Sequence, residues 1–248
     1  RLALVALLLV SGGLQCGPFE LVERIGDGST GEVWRARHRD TSIDVALKLF
    51  HHARARSAFA LRNEVRAAAR LDHPNIVMLF EQGVAQLGAT SEAPAPEATS
   101  YLAMELCSGG ALSAQTQRVS WEILRDRLAA MLHGLAHAHS RGVIHRDLKP
   151  SNVLLGSADD GPMSIKLSDF GIAHALVDAI SLNEDGTDPR DGRLSGTLQY
   201  MAPEQLAGQW RDEGPWTDLY ALGVMAYEAT CRTSPWKAKT RSELLDTL

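Results

Sequence analysis

Two strand-like runs, Phe19 to Ile25 and Val33 to Arg37, flank a short stretch holding Gly26, Gly28 and Gly31, and this pattern predicts a hairpin. No helical period opens at Gly31, which argues against a dinucleotide-binding turn, since that turn needs a helix there. A further apolar run, Val45 Ala46 Leu47, ends on Lys48. A lysine in that position ordinarily extends its charge to solvent along an apolar stem. From Ser57 to Leu71 the period changes: Leu61, Val65, Ala68 and Leu71 recur at helical spacing, and Glu64 lies beside that buried stripe, able to point inward.

Other stretches carry no such order. Ala85 to Ser100, rich in Ala, Pro, Glu and Thr, predicts a flexible surface loop, and Gly156 to Ser164 a polar turn between two strands. Asp178 to Arg193 carries Glu184, Asp185, Asp188 and Asp191, and such an acidic run is ordinarily a solvated loop. No internal repeat is present. Arg1 is followed by nine apolar residues to Val10, the length of a signal-peptide core and too short to span a bilayer. Gly13 Leu14 Gln15 Cys16 lacks the small residue expected just before a lipoprotein cysteine. Residues 1–17 are therefore expected to be an apolar leader of unknown role, packed loosely as a short helix.

Composition narrows the class without naming a reaction. With 248 residues, 45% hydrophobic and 22% charged, the chain can build one two-lobed domain with a substantial core. A net charge of −5 and a pI near 6.0 leave no electrostatic footprint for nucleic acid, so the expected partners are proteins. Cys16, Cys107 and Cys231 lie far apart without metal-ligand spacing, which fits a reduced, cytoplasmic setting.

The chemistry is concentrated in His145 Arg146 Asp147 Leu148 Lys149 Pro150 Ser151 Asn152 and, seventeen residues after the asparagine, Asp169 Phe170 Gly171. An acid, an amine and an amide within six positions, with a second acid on a following turn, supply a proton acceptor, a phosphate contact and two magnesium ligands. Phosphoryl transfer asks for little more, because its catalysis is mostly positioning and charge neutralisation. His-Arg-Asp alone would be an ordinary charged turn, and a lone glycine-rich motif a plain hairpin. Together and in this order they resemble the catalytic loop, metal-binding turn and glycine-rich loop of the protein kinases.

The resemblance extends from roughly Phe19 to Leu248 and implies a two-lobed α+β fold: a small β-rich lobe with one helix over residues 18–107, and a mainly helical lobe over 108–248. It implies that Ile25, Gly26, Gly28, Gly31, Val33 and Ala46 enclose ATP. Lys48, fixed by Glu64, would anchor the phosphates. His73 Pro74 Asn75 Ile76 Val77 matches the turn into the fourth strand, and Tyr101 to Cys107 matches the fifth strand and the hinge. There Met104 would stand beside the adenine, and the backbones of Glu105 and Cys107 would meet its edge. Asp147 would orient the substrate hydroxyl and accept its proton, Lys149 would neutralise the moving phosphoryl group, and Asn152 and Asp169 would hold magnesium, or manganese in its place. Thr197, in the segment Gly196 to Glu204, would brace Asp147 and Lys149. That segment resembles the end of a peptide-docking activation segment, which small-molecule kinases of the aminoglycoside type lack. Trp216 to Gly223 resembles the family's long buried helix, whose Asp218 braces the catalytic loop from beneath.

Lys149, two residues after Asp147, is the serine/threonine-kinase choice, so the resemblance implies transfer of the γ-phosphate of ATP to Ser and Thr of proteins, including the chain itself through self-association. A nucleotide-binding pseudokinase scaffold and a small-molecule kinase are the rival readings. The match thins after Ser242 to Leu248, so the large lobe is expected to be truncated and Glu204 to lack the arginine that pairs with it in the family. Either the acids of 178–193, or a phosphate on Thr187 or Ser195, are expected to meet Arg146.

Overall fold

The computed structural model describes residues 14–28, 31–50, 64–86, 98–115, 119–156, 164–170, 198–238 and 241–247. The chain divides into two compact units, one of Arg1–Phe59 with Met78–Leu106, the other of Ala60–Val77 with Cys107–Leu248.

The first unit is a six-stranded antiparallel sheet. Its strands are β1 (Gln15–Cys16), β2 (Phe19–Gly28), β3 (Gly31–His38), β4 (Asp44–Phe50), β5 (Leu79–Gln86) and β6 (Ala98–Met104), in the order β1-β2-β3-β4-β6-β5. The predicted hairpin is β2–β3, and its strands stay paired down to Gly28 opposite Gly31. Side chains alternate between faces, so pairing sorts the residues. One face gathers Phe19, Leu21, Ala36, Val45, Leu47, Leu49, Tyr101 and Ala103 into a core. The other carries Val33 opposite Lys48, Lys48 opposite Leu102 and Ala46 opposite Met104. Gly83 makes room for the first face, since a Cβ there would meet the Tyr101 ring at 2.4 Å.

Two expectations change in this unit. Residues 14–17 are not part of a loose helix: Gln15 and Cys16 pair with Glu20 and Phe19, Leu14 packs on the core, and Cys16 is fully buried. Burial pushes the Cys16 thiol up to about 11, which makes it an inert core residue. Residues 1–13 lie outside the described residues. The expected loop from Ala85 to Ser100 is shorter at both ends, because Ala85 pairs with Thr99 and Gln86 with Ala98.

In the second unit, helix α1 is described over residues 64–68, where Val65 and Ala68 are buried with Leu71 just beyond, as the helical spacing predicts. Helix α2 (Trp121–His139) starts at Ser120, whose hydroxyl accepts the Ile123 N–H, and buries Met131, Gly134, Leu135 and Ala138. Gly134 permits a close approach: a Cβ there would stand 2.9 Å from the Asn75 carbonyl oxygen and 3.1 Å from Leu167. The strands β7 (Val153–Leu155) and β8 (Ile165–Leu167) form the expected antiparallel pair, and Leu167 exchanges backbone hydrogen bonds with Asn75 and Val77. Helices α3 (Pro203–Leu206), α4 (Pro215–Cys231) and α5 (Arg241–Thr247) complete the unit. Leu244 of α5 packs on Leu198 and Leu206. Among the described residues no helix is long and apolar enough to cross a membrane.

Candidate active site

The loop between α2 and β7 is pinned at its turn by α4. The fully buried His145 packs its ring 4.5 Å from that of Phe170. Asp218, 1% exposed, accepts the backbone N–H groups of His145 (2.8 Å) and Arg146 (2.9 Å) and lies 2.7 Å from His139 Nε2. Two backbone donors in a largely buried turn need an acceptor, and one carboxylate on the first turn of α4 supplies it. Arg146 adopts φ +65°, and Asp169 adopts φ +63°.

Beyond this turn the chemistry-bearing side chains converge. Lys149 Nζ lies 3.0 Å from Asp147 Oδ1 and 2.9 Å from Oδ2. Asn152 Nδ2 donates to Asp147 Oδ2 at 3.0 Å and to its carbonyl at 2.7 Å. The Asn152 carbonyl accepts the N–H of Ser168 (2.9 Å) and its hydroxyl (3.2 Å), which ties the asparagine to the residue preceding Asp169. Pro150–Asn152 forms one turn of 3₁₀ helix, so Lys149 and Asn152 bracket the Asp147 carboxylate from one short segment.

Arg146 is also tied at its side chain. Its Nε lies 3.0 Å from Oε2 of Glu213, whose side chain is 3% exposed, and its Nη1 lies 3.6 Å from Oε1 of Glu64. Within its own unit, then, Glu64 faces Arg146. Gln205 Nε2 donates to the Arg146 carbonyl at 2.8 Å while its Oε1 accepts the Ala202 N–H. Sequence reasoning passed over Glu213 and Gln205. Both belong to segments without a chemical motif, and only their placement beside residue 146 marks them.

Glu204 corrects an expectation. It is not left without a partner: the Thr217 hydroxyl donates to its Oε1 at 2.6 Å and also accepts the Gly214 N–H at 3.0 Å. Thr217 is 1% exposed, and Glu204 is partly buried.

In the sheet unit the residues assigned to the nucleotide share a face. Val33, Ala46, Lys48 and Met104 occupy it by register, with Gly26 opposite Val33. Lys48 is 5% exposed, and its Nζ stands 5.8 Å over the Phe50 ring, so this lysine does not reach solvent. Ile25 is largely exposed. Glu105 donates its N–H to the Met78 carbonyl, and its side chain accepts the Met78 N–H. Cys107 belongs to the other unit and is half-buried. Thr197, and with it Thr187 and Ser195, lies outside the described residues.

Asn152 and Asp169 present oxygen donors suited to a hard cation such as magnesium, which takes one or two protein ligands and completes its shell with phosphate and water. Among the described residues no group of three or more His, Cys, Asp or Glu could hold a metal by itself, and a shell shared with nucleotide needs none.

The sequence profile of the protein kinase domain matches residues 19–247. The chain is 34% identical over 222 residues to the serine/threonine-protein kinase pkn3 of Myxococcus xanthus, covering 86% of this chain and 38% of that protein. It is 34% identical over 231 residues to the serine/threonine-protein kinase PknA of Mycobacterium tuberculosis (89% and 48%). Over 245 residues it is 34% identical to the DNA damage-responsive serine/threonine-protein kinase RqkA of Deinococcus radiodurans (96% and 33%). The chain thus spans less than half the length of these relatives.

Proposed function

Because the chain belongs to the protein kinase domain family, we propose that it transfers the γ-phosphate of ATP to Ser and Thr hydroxyls of proteins, itself included. The observation that carries this reading is the cluster in which Lys149 and Asn152 bracket the Asp147 carboxylate within 3.0 Å. Asp147 orients the substrate hydroxyl and takes its proton as the O–P bond forms. Lys149 stands beside that carboxylate, where a cation offsets the charge spread over the moving phosphoryl oxygens. Lys48 and the glycine-rich hairpin hold the phosphates, Met104 and the backbones of Glu105 and Cys107 receive the base, and Thr197 braces the catalytic loop. Asn152 and Asp169 hold magnesium, which when bound neutralises phosphate charge. ATP is a cytoplasmic substrate, and the cytoplasm is the setting that fits.

Incubation with γ-labelled ATP, magnesium and a generic protein acceptor, followed by phosphoamino-acid analysis, tests the reading. Label on Ser and Thr is the expected result. Label on an added small molecule but on no protein would turn the assignment to a small-molecule kinase, and nucleotide binding without transfer would turn it to a scaffold. By the resemblance, Thr187 or Ser195 is the self-modified residue, and mass spectrometry of residues 178–197 after incubation reads it.

A further inference from the structure

Residue 146 is held by both of its backbone polar groups and by ion pairs at its side chain. Its N–H goes to Asp218 on α4, its carbonyl to Gln205 on α3, and its guanidinium to Glu213 just ahead of α4, with Glu64 at the other edge. A non-glycine residue at φ +65° persists only where its surroundings over-determine it. Of the two carboxylates that meet its guanidinium, Glu213 is the more buried, with a side chain 3% exposed against 32% for Glu64. A carboxylate with a side chain 3% exposed is tolerated only where a cation or donors meet it, and Arg146 Nε at 3.0 Å is such a cation. The segment entering α4 therefore grips one residue twice, by its backbone through Asp218 and by its charge through Glu213. That residue immediately precedes Asp147.

We propose that Glu213 is a positioning residue for phosphoryl transfer: its buried carboxylate holds Arg146, and through it the turn that presents Asp147, so that the site is ordered without a phosphate on residues 178–197. The inference rests on the kinase reading and adds to it. By the resemblance, the counter-charge of Arg146 would come from the acids of 178–193 or from a phosphate on Thr187 or Ser195. Glu213 is a resident counter-charge supplied by the fold, and Glu64 supplies a second at the opposite edge.

The test compares the full chain with Glu213→Gln, Glu213→Asp, Arg146→Met and the double variant Arg146→Met with Glu213→Gln, each checked by thermal unfolding and assayed with a peptide acceptor. Misplacing a reacting group by about 1 Å can cost on the order of a hundredfold, so loss of the neighbouring grip is expected to lower kcat at least roughly tenfold in Glu213→Gln. The KM for ATP stays within about twofold, because the nucleotide contacts are elsewhere. Glu213→Asp recovers part of kcat, and the double variant is no worse than Arg146→Met. Phosphatase-treated wild type and the Thr187→Ala, Ser195→Ala double variant keep about half or more of the starting activity, within what loss of an exposed charge contact costs.

Wild-type kcat in Glu213→Gln, multiplying losses in the double variant, or a collapse of activity on phosphatase treatment each overturn the proposal. Where Glu213→Gln does not fold, Glu213→Asp and the phosphatase comparison decide. If the wild type transfers no phosphate, the kinase reading fails. The Arg146–Glu213 coupling is then read from unfolding midpoints, where additive shifts overturn it and non-additive shifts uphold it.

Discussion

The Lys149 ammonium lies 2.9 Å from the Asp147 carboxylate, two residues earlier in sequence, and the 3₁₀ turn Pro150–Asn152 begins just after it. Asp147→Asn keeps the shape and removes the proton acceptor, so transfer to protein is expected to fall by about 10²–10⁴-fold while ATP affinity changes by no more than a few fold. Radiolabel transfer and nucleotide titration on the same preparations check this. Equal transfer by the variant would remove Asp147 from the mechanism.

Lys48→Met separates chemistry from folding. Lys48 is 5% exposed, with its amine over the Phe50 ring and Leu102 opposite it, and methionine fills a similar volume without a charge to desolvate. Turnover is expected to drop strongly, while the unfolding free energy stays within about 1.5 kcal/mol of wild type or rises. A variant that loses both activity and fold would make Lys48 a structural residue.

Asp218→Ala should act in the opposite way. It strands two backbone N–H groups in a buried turn and leaves His139 without its acceptor, a loss of about 3–5 kcal/mol by the cost of uncompensated buried partners. Urea denaturation measures it. A loss under about 1 kcal/mol would mean that water or another group takes over the turn.

Thr217→Val is isosteric and removes only the hydroxyl that joins Gly214 N–H to Glu204. Leaving both unsatisfied in a largely buried site is expected to cost about 1–3 kcal/mol. The same substitution in Glu204→Gln should cost less than in the wild type, since the stranded group is then uncharged. A double-mutant cycle in urea gives the difference.

Acid sensitivity should arise at His73. Its Nδ1 accepts the Asn75 N–H at 3.1 Å, and its ring lies 4.9 Å from that of His137. Burial, then the neighbouring His137, His133 and Arg141, hold its pKa below the ordinary 6.5, with Asp72 opposing. A depressed folded value means the unfolded chain takes the proton first. The stabilisation is therefore complete above pH 6.5 and is lost as pH falls through the window beneath it. His73→Gln should flatten the fall in urea midpoint between about pH 7.5 and about pH 5.5. Parallel falls in both proteins would clear His73 of the effect.

What could be read from the chain was local. The β2–β3 hairpin, the helical stripe of Val65, Ala68 and Leu71, and the grouping of Asp147, Lys149 and Asn152 follow from residues close in sequence. Each rests on a period or a spacing. The partners of Arg146 and Glu204 do not, because Glu213 stands 67 positions from residue 146 (213 − 146) and only the packing of α4 brings it there. Strand ends failed for the same reason. Gln15–Cys16 is too short to show alternation, and Ala98 to Ser100 becomes strand because β5 lies beside it.

Arg146 and Asp169 are two of four non-glycine residues among those described that take positive φ. At Arg146 the buried Glu213 that its charge offsets opposes replacement, but glycine or asparagine would sit at Asp169 with less strain, so selection for heat resistance alone should drift toward them there and strip a charge from the site. A library of this domain enriched only for surviving heat should therefore gather inactive sequences at position 169. Screening for transfer and for endurance together is the way to keep both.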